Sequence, residues 1–123
     1  PGFVLNRLQG ALLREALWLV ENDIATPQDV DVAIKNSIGR RWAVAGIFEI
    51  FEIAGWDLLL AVAEGLFPHL ASSSEVSPLL KSKVERGELG VKTGKGFYEW
   101  TPEAAEELKQ RLAKALVKLE KEA

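Results

Sequence analysis

The 123-residue chain contains no cysteine, no methionine and a single histidine. Without cysteine there are no disulfides, no thiolate nucleophile and no thiolate zinc site. The same absence is compatible with a reducing compartment, and a cytoplasmic location is the expectation. One histidine excludes multi-histidine metal centres, so no metal site is expected. The missing methionine, together with a start at Pro1, suggests a piece of a longer polypeptide. Excess charge is also scarce: 15 basic and 18 acidic residues give a net charge of −3. The two signs are interspersed, and the lack of a basic stripe argues against nucleic acid as a partner. No apolar run approaches the roughly 18 residues that span a bilayer, and no signal peptide is visible.

What is present is a core-forming composition. Hydrophobic residues make up 48% of the chain, enough for a domain of this size to fold without staples. The patterning is helical throughout, and no convincing β alternation occurs. The first helix should run from Gly2 or Phe3 to about Asn22. Leu5, Leu8, Leu12, Leu13, Ala16, Leu17, Leu19 and Val20 fall in one arc, with Arg7, Arg14 and Glu21 opposite. Trp18 lies toward the polar side, where a partner surface could cover it.

Thr26-Pro27-Gln28-Asp29 predicts a capped helix start, with Asp29 reaching back to Thr26. Val30, Ala33, Ile34 and Ile38 form its apolar stripe, and Gly39 reads as the stop, with Arg40 and Arg41 beyond. Gly46, Gly55 and Pro68 divide the next, most apolar stretch into helices near 47–53 and 56–70. These are apolar nearly all round, as central or interface helices are. Ser77-Pro78 opens a further helix that Gly87 ends. Glycine-rich Gly87–Trp100 reads as an ordered loop, and Thr101-Pro102 opens a terminal helix. There Ala105, Leu108, Leu112, Ala115 and Leu119 repeat at spacings of three and four. The expectation is an all-α domain of about six helices.

Few residues could carry chemistry. Asn6 and Gln9 are amides on the apolar side of the first helix. Either they bond a neighbouring loop, or they form a polar hook toward a ligand or another domain. Lys92-Thr93-Gly94-Lys95-Gly96 fails the phosphate-loop spacings, since a G-x-G-x-x-G pattern would need glycine at Glu99. A turn that packs Phe97, Tyr98 and Trp100 is expected instead. His69 lacks an orienting carboxylate, so a surface or capping role is expected rather than base catalysis. Asp57 could serve a helix start. Glu49 and Glu52 are expected to bind arginine, with Arg40 and Arg41 as candidates, rather than a metal.

Five segments in order, PGFVLNRL, ALLREALWLVE, ATPQDVDVAI with SIGRR, GIFEIFEIAGWD and LLKSKVERGELGVKTGKGFYEW, closely resemble the C-terminal helical domain of the L-3-hydroxyacyl-CoA dehydrogenases. The resemblance covers about residues 1–100, and 101–123 look like a helical tail packed on the same domain. It implies the helical-bundle fold of the 6-phosphogluconate dehydrogenase C-terminal-domain type. It also implies a partner Rossmann domain that binds NAD and holds the catalytic His–Glu pair, with a homodimer formed through the helical domain. The implied reaction is oxidation of 3-hydroxyacyl-CoA to 3-ketoacyl-CoA in fatty acid β-oxidation. By motif match Asn6 is the catalytic-site asparagine, helping to position the reacting substrate oxygen. No residue of this chain matches the family's base, and the isolated chain is expected to be inactive. Where the family commonly has G-P-F-E, this chain has Gly46-Ile47-Phe48-Glu49, and a nearby family aspartate is Glu52. Relatives with the same helical domain oxidise short hydroxy acids of the gulonate or carnitine type, which stands as the alternative substrate class. A non-catalytic helical interaction module and a free-standing ligand-binding bundle are further alternatives.

Overall fold

A computed structural model describes residues 2–122. Among them are seven α-helices and two short 3₁₀ turns: α1 (Gly2–Glu21), α2 (Pro27–Asn36), α3 (Ile38–Trp42), α4 (Ile47–Ala54), α5 (Trp56–Leu66), α6 (Pro78–Glu85) and α7 (Pro102–Glu122), with turns at Phe67–His69 and Val91–Thr93. No β-strand occurs among the described residues, only isolated bridges inside the glycine-rich loop. The all-α expectation holds. The chain divides into two compact units, Pro1–Ser77 and Pro78–Ala123. No helix is long and apolar enough to cross a membrane among the described residues.

In the first unit α1 packs on α2, α2 on α3, and α4 on α5. α1 ends in a left-handed turn. Asp23 has φ 56°, the Asp23 N–H donates to the Val20 carbonyl and the Ile24 N–H to the Leu19 carbonyl. This pair of bonds satisfies two terminal carbonyls of the helix. α2 starts as its sequence demands: the Asp29 N–H donates to Thr26 Oγ1 at 3.1 Å, and the Thr26 N–H donates to Asp29 Oδ2 at 3.0 Å. Hydrogen bonds from Thr26, first from its backbone N–H and second from its hydroxyl, hold the Asp29 carboxyl below its ordinary pKa.

The stop of α2 differs from expectation. Gly39 is not a terminating residue with positive φ but lies inside α3. The break falls two residues earlier, at Ser37 (φ −134°, ψ −97°), where side chains take over the carbonyls. Ser37 Oγ donates to the Ala33 carbonyl, and Asn36 Nδ2 donates to the Val32 carbonyl at 3.0 Å. Serine and asparagine compete in this way with the helical ladder. Glycine at 39 is required by space rather than by φ: a Cβ there would stand 2.8 Å from the Ile34 carbonyl oxygen. The extra helix, α3, accounts for seven helices rather than about six.

Burial in the first unit is uneven. Leu17 is 7% exposed, and Ala16, Trp18, Leu19 and Val20 are half-buried. Residues Gly2 to Arg14 of the same helix are all exposed, including Leu5, Leu8, Leu12 and Leu13. Only the C-terminal part of the expected core arc therefore packs within this chain, and Trp18 sits with it. α4 and α5 keep Ile50, Phe51, Leu59 and Ala63 half-buried but leave Phe48 (72%) and Ile53 (87%) in solvent. Among the described residues Glu49 and Glu52 form no ion pair with arginine, contrary to expectation. Glu49 Oε1 instead accepts the Gly46 N–H at 2.7 Å, because the first N–H groups of a helix need an acceptor and Glu49 is one turn away.

In the second unit, Lys83 of α6 organises the glycine-rich loop. Its Nζ donates to Glu88 Oε1 at 2.8 Å and to the Gly96 carbonyl at 2.9 Å, and stands 5.0 Å from the Phe97 ring centroid. α7 starts at Thr101, whose Oγ1 accepts the Ala104 N–H at 3.1 Å. Of the expected seam on α7, Ala105 is buried (6%) and Leu108 half-buried, while Leu112 and Leu119 are exposed.

Two glycines within helices make opposite demands. Gly39→Ala forces the new methyl against Ile34 and should destabilise the fold by about 1–3 kcal/mol. At Gly65, in α5, a methyl would meet nothing within 4 Å, so Gly65→Ala should stabilise the fold by about 0.5–1 kcal/mol. Urea-unfolding midpoints of the two variants should move in opposite directions. A Gly39→Ala protein as stable as wild type would contradict the close approach.

Candidate functional site

The candidate catalytic asparagine lies in the second turn of α1. Asn6 is exposed and makes no hydrogen bond to a described residue. It is therefore not one of those amides that satisfy a neighbouring loop, and the same holds for its neighbour Gln9, also exposed. Asn6 lines a hollow of about 260 Å³ together with Arg7, Gly10, Ala11 and Arg14. At 100° per residue these five positions share one side of the helix. Gly10 and Ala11 make its floor; a Cβ at Gly10 would meet nothing within 4 Å.

The flanking arginines are held rather than free to sweep. The Arg7 guanidinium stands 5.7 Å from the Phe3 ring centroid. Arg14 Nη1 donates to the Ser73 carbonyl at 3.4 Å, and one residue on, Glu15 Oε1 accepts the Ala71 N–H at 2.8 Å. These two contacts tie the middle of α1 to the segment that follows α5. Neither Arg7 nor Arg14 has a carboxylate partner among the described residues. The motif points to Asn6 alone; Arg7, Gly10 and Arg14 join it only in the folded chain. Gly10 and Arg14 follow Asn6 at four-residue steps, a spacing that puts them on its side of the helix without marking them as functional. Two larger hollows, each about 420 Å³, lie in the second unit, one along α7 and one where the loop meets the start of α7. Neither joins an amide side chain to two guanidiniums.

The other sequence candidates do not gather around Asn6. His69 is exposed at the end of the 3₁₀ turn after α5. Asp57 sits in the first turn of α5, where a carboxylate complements the helix dipole. Among the described residues no three histidine, aspartate or glutamate side chains converge as a metal site would need.

The glycine-rich loop does not fit a nucleotide. Its amides are spent internally: Gly90 N–H on the Lys95 carbonyl, Thr93 on Gly90, Gly94 on Val91, Gly96 on Tyr98. A phosphate cradle needs such N–H groups free and convergent. Gly96 is instead buried where two passes of the loop touch, with its Cβ position 2.9 Å from Gly90 Cα. Tyr98 and Trp100 meet edge to face at 6.3 Å. The loop amides thus leave no free, convergent set of N–H groups for a phosphate.

Residues 2–100 match the family described as 3-hydroxyacyl-CoA dehydrogenase, C-terminal domain; the chain belongs to that family. It is 37% identical over 117 residues to the 5-formyl-3-hydroxy-2-methylpyridine 4-carboxylate 5-dehydrogenase of Mesorhizobium japonicum, covering 95% of this chain and 38% of that protein. It is 34% identical over 102 residues to the mitochondrial hydroxyacyl-coenzyme A dehydrogenase of Homo sapiens, covering 81% of this chain and 32% of that protein. Among solved structures, a 5-formyl-3-hydroxy-2-methylpyridine 4-carboxylic acid 5-dehydrogenase, described as an NAD+-dependent dismutase, superposes with a TM-score of 0.92 at 36% identity. That superposition covers 98% of this chain and 39% of the other. The chain thus spans between about a third and two fifths of the length of these relatives.

The loop beneath α6 carries a titration prediction. The Lys83 ammonium hydrogen-bonded to Glu88 holds that carboxyl below the ordinary glutamate range, with the Arg86 charge adding to it. A depressed folded-state pKa stabilises the fold fully above the unfolded pKa of about 4.3, and the contribution is lost as pH falls from there through the lower folded value. Glu88→Gln should therefore flatten the decline in thermal midpoint below about pH 4.3 relative to wild type. Parallel declines in the two proteins would show that the pair is not coupled to folding.

Proposed function

We propose that this chain is the substrate-binding and dimerisation domain of an NAD-dependent dehydrogenase of the 3-hydroxyacyl type. The enzyme would convert a secondary hydroxyl to a carbonyl, with NAD+ as the electron acceptor, on a longer polypeptide whose Rossmann domain binds NAD and supplies the base. The observation that carries this reading is the exposed, unbonded Asn6 amide on a helix face that the chain itself leaves open. An amide N–H₂ offered to a substrate oxygen can stabilise charge that develops there, provided its own oxygen is held by another group. The family match and the NAD+-dependent structural neighbour support the reading.

The exposed apolar surface fits the same proposal. Leu58, Val62 and Leu66 form a row along α5 at four-residue spacing and are all exposed, as are Phe48 and Ile53 of α4. Exposed apolar patches of this kind mark interaction surfaces. We assign this face to a second copy of the chain and the N-terminal half of α1 to the Rossmann domain.

For the substrate, two classes stand. The human relative is named for hydroxyacyl-coenzyme A. The match to the pyridine carboxylate dehydrogenase runs over 117 residues and so extends into the tail beyond residue 100. An equally long match, 38% identical over 117 residues, to an L-carnitine dehydrogenase of Streptomyces coelicolor supports a small hydroxy acid as the second reading.

In the full-length protein, Asn6→Ala should lower kcat at least tenfold, about 1.4 kcal/mol of transition-state stabilisation, and leave NAD affinity nearly unchanged. Steady-state kinetics beside NAD titration checks this, and an unaltered kcat removes Asn6 from the site.

A further inference from the structure

We infer that the hollow on α1 binds the free carboxylate of the substrate, with Arg7 and Arg14 supplying the charge and Gly10 the room. This site rests on the dehydrogenase reading and chooses between its two substrate classes. Gly10 is a glycine that the chain itself does not need. Glycine inside a helix is destabilising relative to alanine. Gly10 has an ordinary helical backbone, without positive φ. A methyl there would touch no atom of this chain. Nothing within this chain accounts for the missing side chain, and unlike the equally open Gly65 it lies in a hollow bordered by an amide and two guanidiniums, with room for an occupant from outside.

The surroundings state the chemistry of that occupant. Two guanidiniums and one amide border the hollow, no acidic side chain does, and neither guanidinium is ion-paired among the described residues. Arginine forks match carboxylate and phosphate oxygens, and an anion here would engage guanidinium N–H groups that no carboxylate holds among the described residues. Both arginines are also positioned, Arg7 by the Phe3 ring and Arg14 by the Ser73 carbonyl. Positioned donors lose less conformational freedom on binding.

Distance decides between a carboxylate and the phosphates of a CoA thioester. At a rise of about 1.5 Å per residue, Gly10 lies about 6 Å along the axis from Asn6 and Arg14 about 12 Å. Helical side chains lean toward the N-terminus, and Arg14 and Gly10 line the same hollow. On that geometry an anion in the hollow is about 6 Å from the oxygen that Asn6 would hold. A hydroxy acid of four to six carbons spans that separation. In a CoA thioester the carboxyl charge is gone and the phosphates lie beyond the whole pantetheine arm.

The test uses full-length protein with NAD+, four- to six-carbon hydroxy acids, and the CoA thioesters of the same acids. Wild type should show the higher kcat/KM on the free acids. Arg14→Gln should raise their KM at least tenfold with a smaller change in kcat, and Arg14→Lys should recover part of the loss because charge is restored. Gly10→Leu, which fills the hollow, should lower kcat/KM for the free acids at least tenfold, although the protein remains folded by circular dichroism. If the thioesters are the better substrates, or if both Arg14→Gln and Gly10→Leu leave the KM for the free acids unchanged, the carboxylate site is wrong while the dehydrogenase reading survives. If neither class is oxidised, the dehydrogenase reading itself falls. If Gly10→Leu mainly weakens self-association by sedimentation, or weakens NAD binding and lowers kcat/KM for free acids and thioesters alike, the hollow is a protein contact and the inference is overturned.

Discussion

Apolar surface left in water is the constraint from which the rest of this structure follows. Burying one Leu, Ile or Phe side chain is worth about 1.5–3 kcal/mol, yet among the described residues the buried apolar side chains are Leu17 and Ala105. Association in turn costs about 4–15 kcal/mol in lost translational and rotational freedom. Two or three exposed leucines, about 3–9 kcal/mol together, would offset only the lower part of that range. Phe48, Ile53, Leu58, Val62 and Leu66 on α4 and α5, with Phe3, Leu5 and Leu8 on α1, can offset more of it. Exposed apolar faces of this extent fit helices that a partner covers, and under the proposed function the Asn6 amide lies beside such a face.

That constraint also separates what is legible in the sequence from what is not. Local signals are reliable wherever the partner group lies within one turn. Thr26 and Asp29 cap α2, Thr101 caps α7, and Gly87 with φ 73° follows α6, all readable from spacing alone. Hydrophobic periodicity locates α1 but does not say against what it packs. Leu5 and Leu8 share an arc with Leu17, and only Leu17 of the three is covered by this chain. Period encodes a face, and the identity of the covering surface is not local information.

The departures are of the same kind. A glycine before two arginines matches a helix stop, whereas the role of Gly39 is set by a through-space approach to Ile34 five residues back. Arginines stand near Glu49 in sequence, but the unbonded Gly46 N–H is nearer still and competes successfully. In the candidate site Asn6 is legible by motif resemblance. Arg7, Gly10 and Arg14 are not, because an arginine on a polar face is usually solvated, and a helical glycine usually packs closely against something. That Gly10 packs against nothing is a property of the folded chain alone.

The two faces of α1 therefore carry different kinds of selection. The Leu12, Leu19 and Val20 side has to be greasy, and many substitutions of similar volume would serve it. Under the proposed function the Asn6, Arg7, Gly10 and Arg14 side has to be specific, since an amide, a gap and two forks are not interchangeable with other polar groups of equal solubility. The contacts of Arg14 with Ser73 and of Glu15 with Ala71 connect the two requirements: they fix the helix to its own unit at the point where burial gives way to exposure. Upstream of that point, among the described residues, no side-chain hydrogen bond ties α1 to another element. Under the proposed function, the precision a reacting oxygen needs, a fraction of an ångström, would be completed by the surface that covers α1, and binding of that surface would then be coupled to catalytic competence.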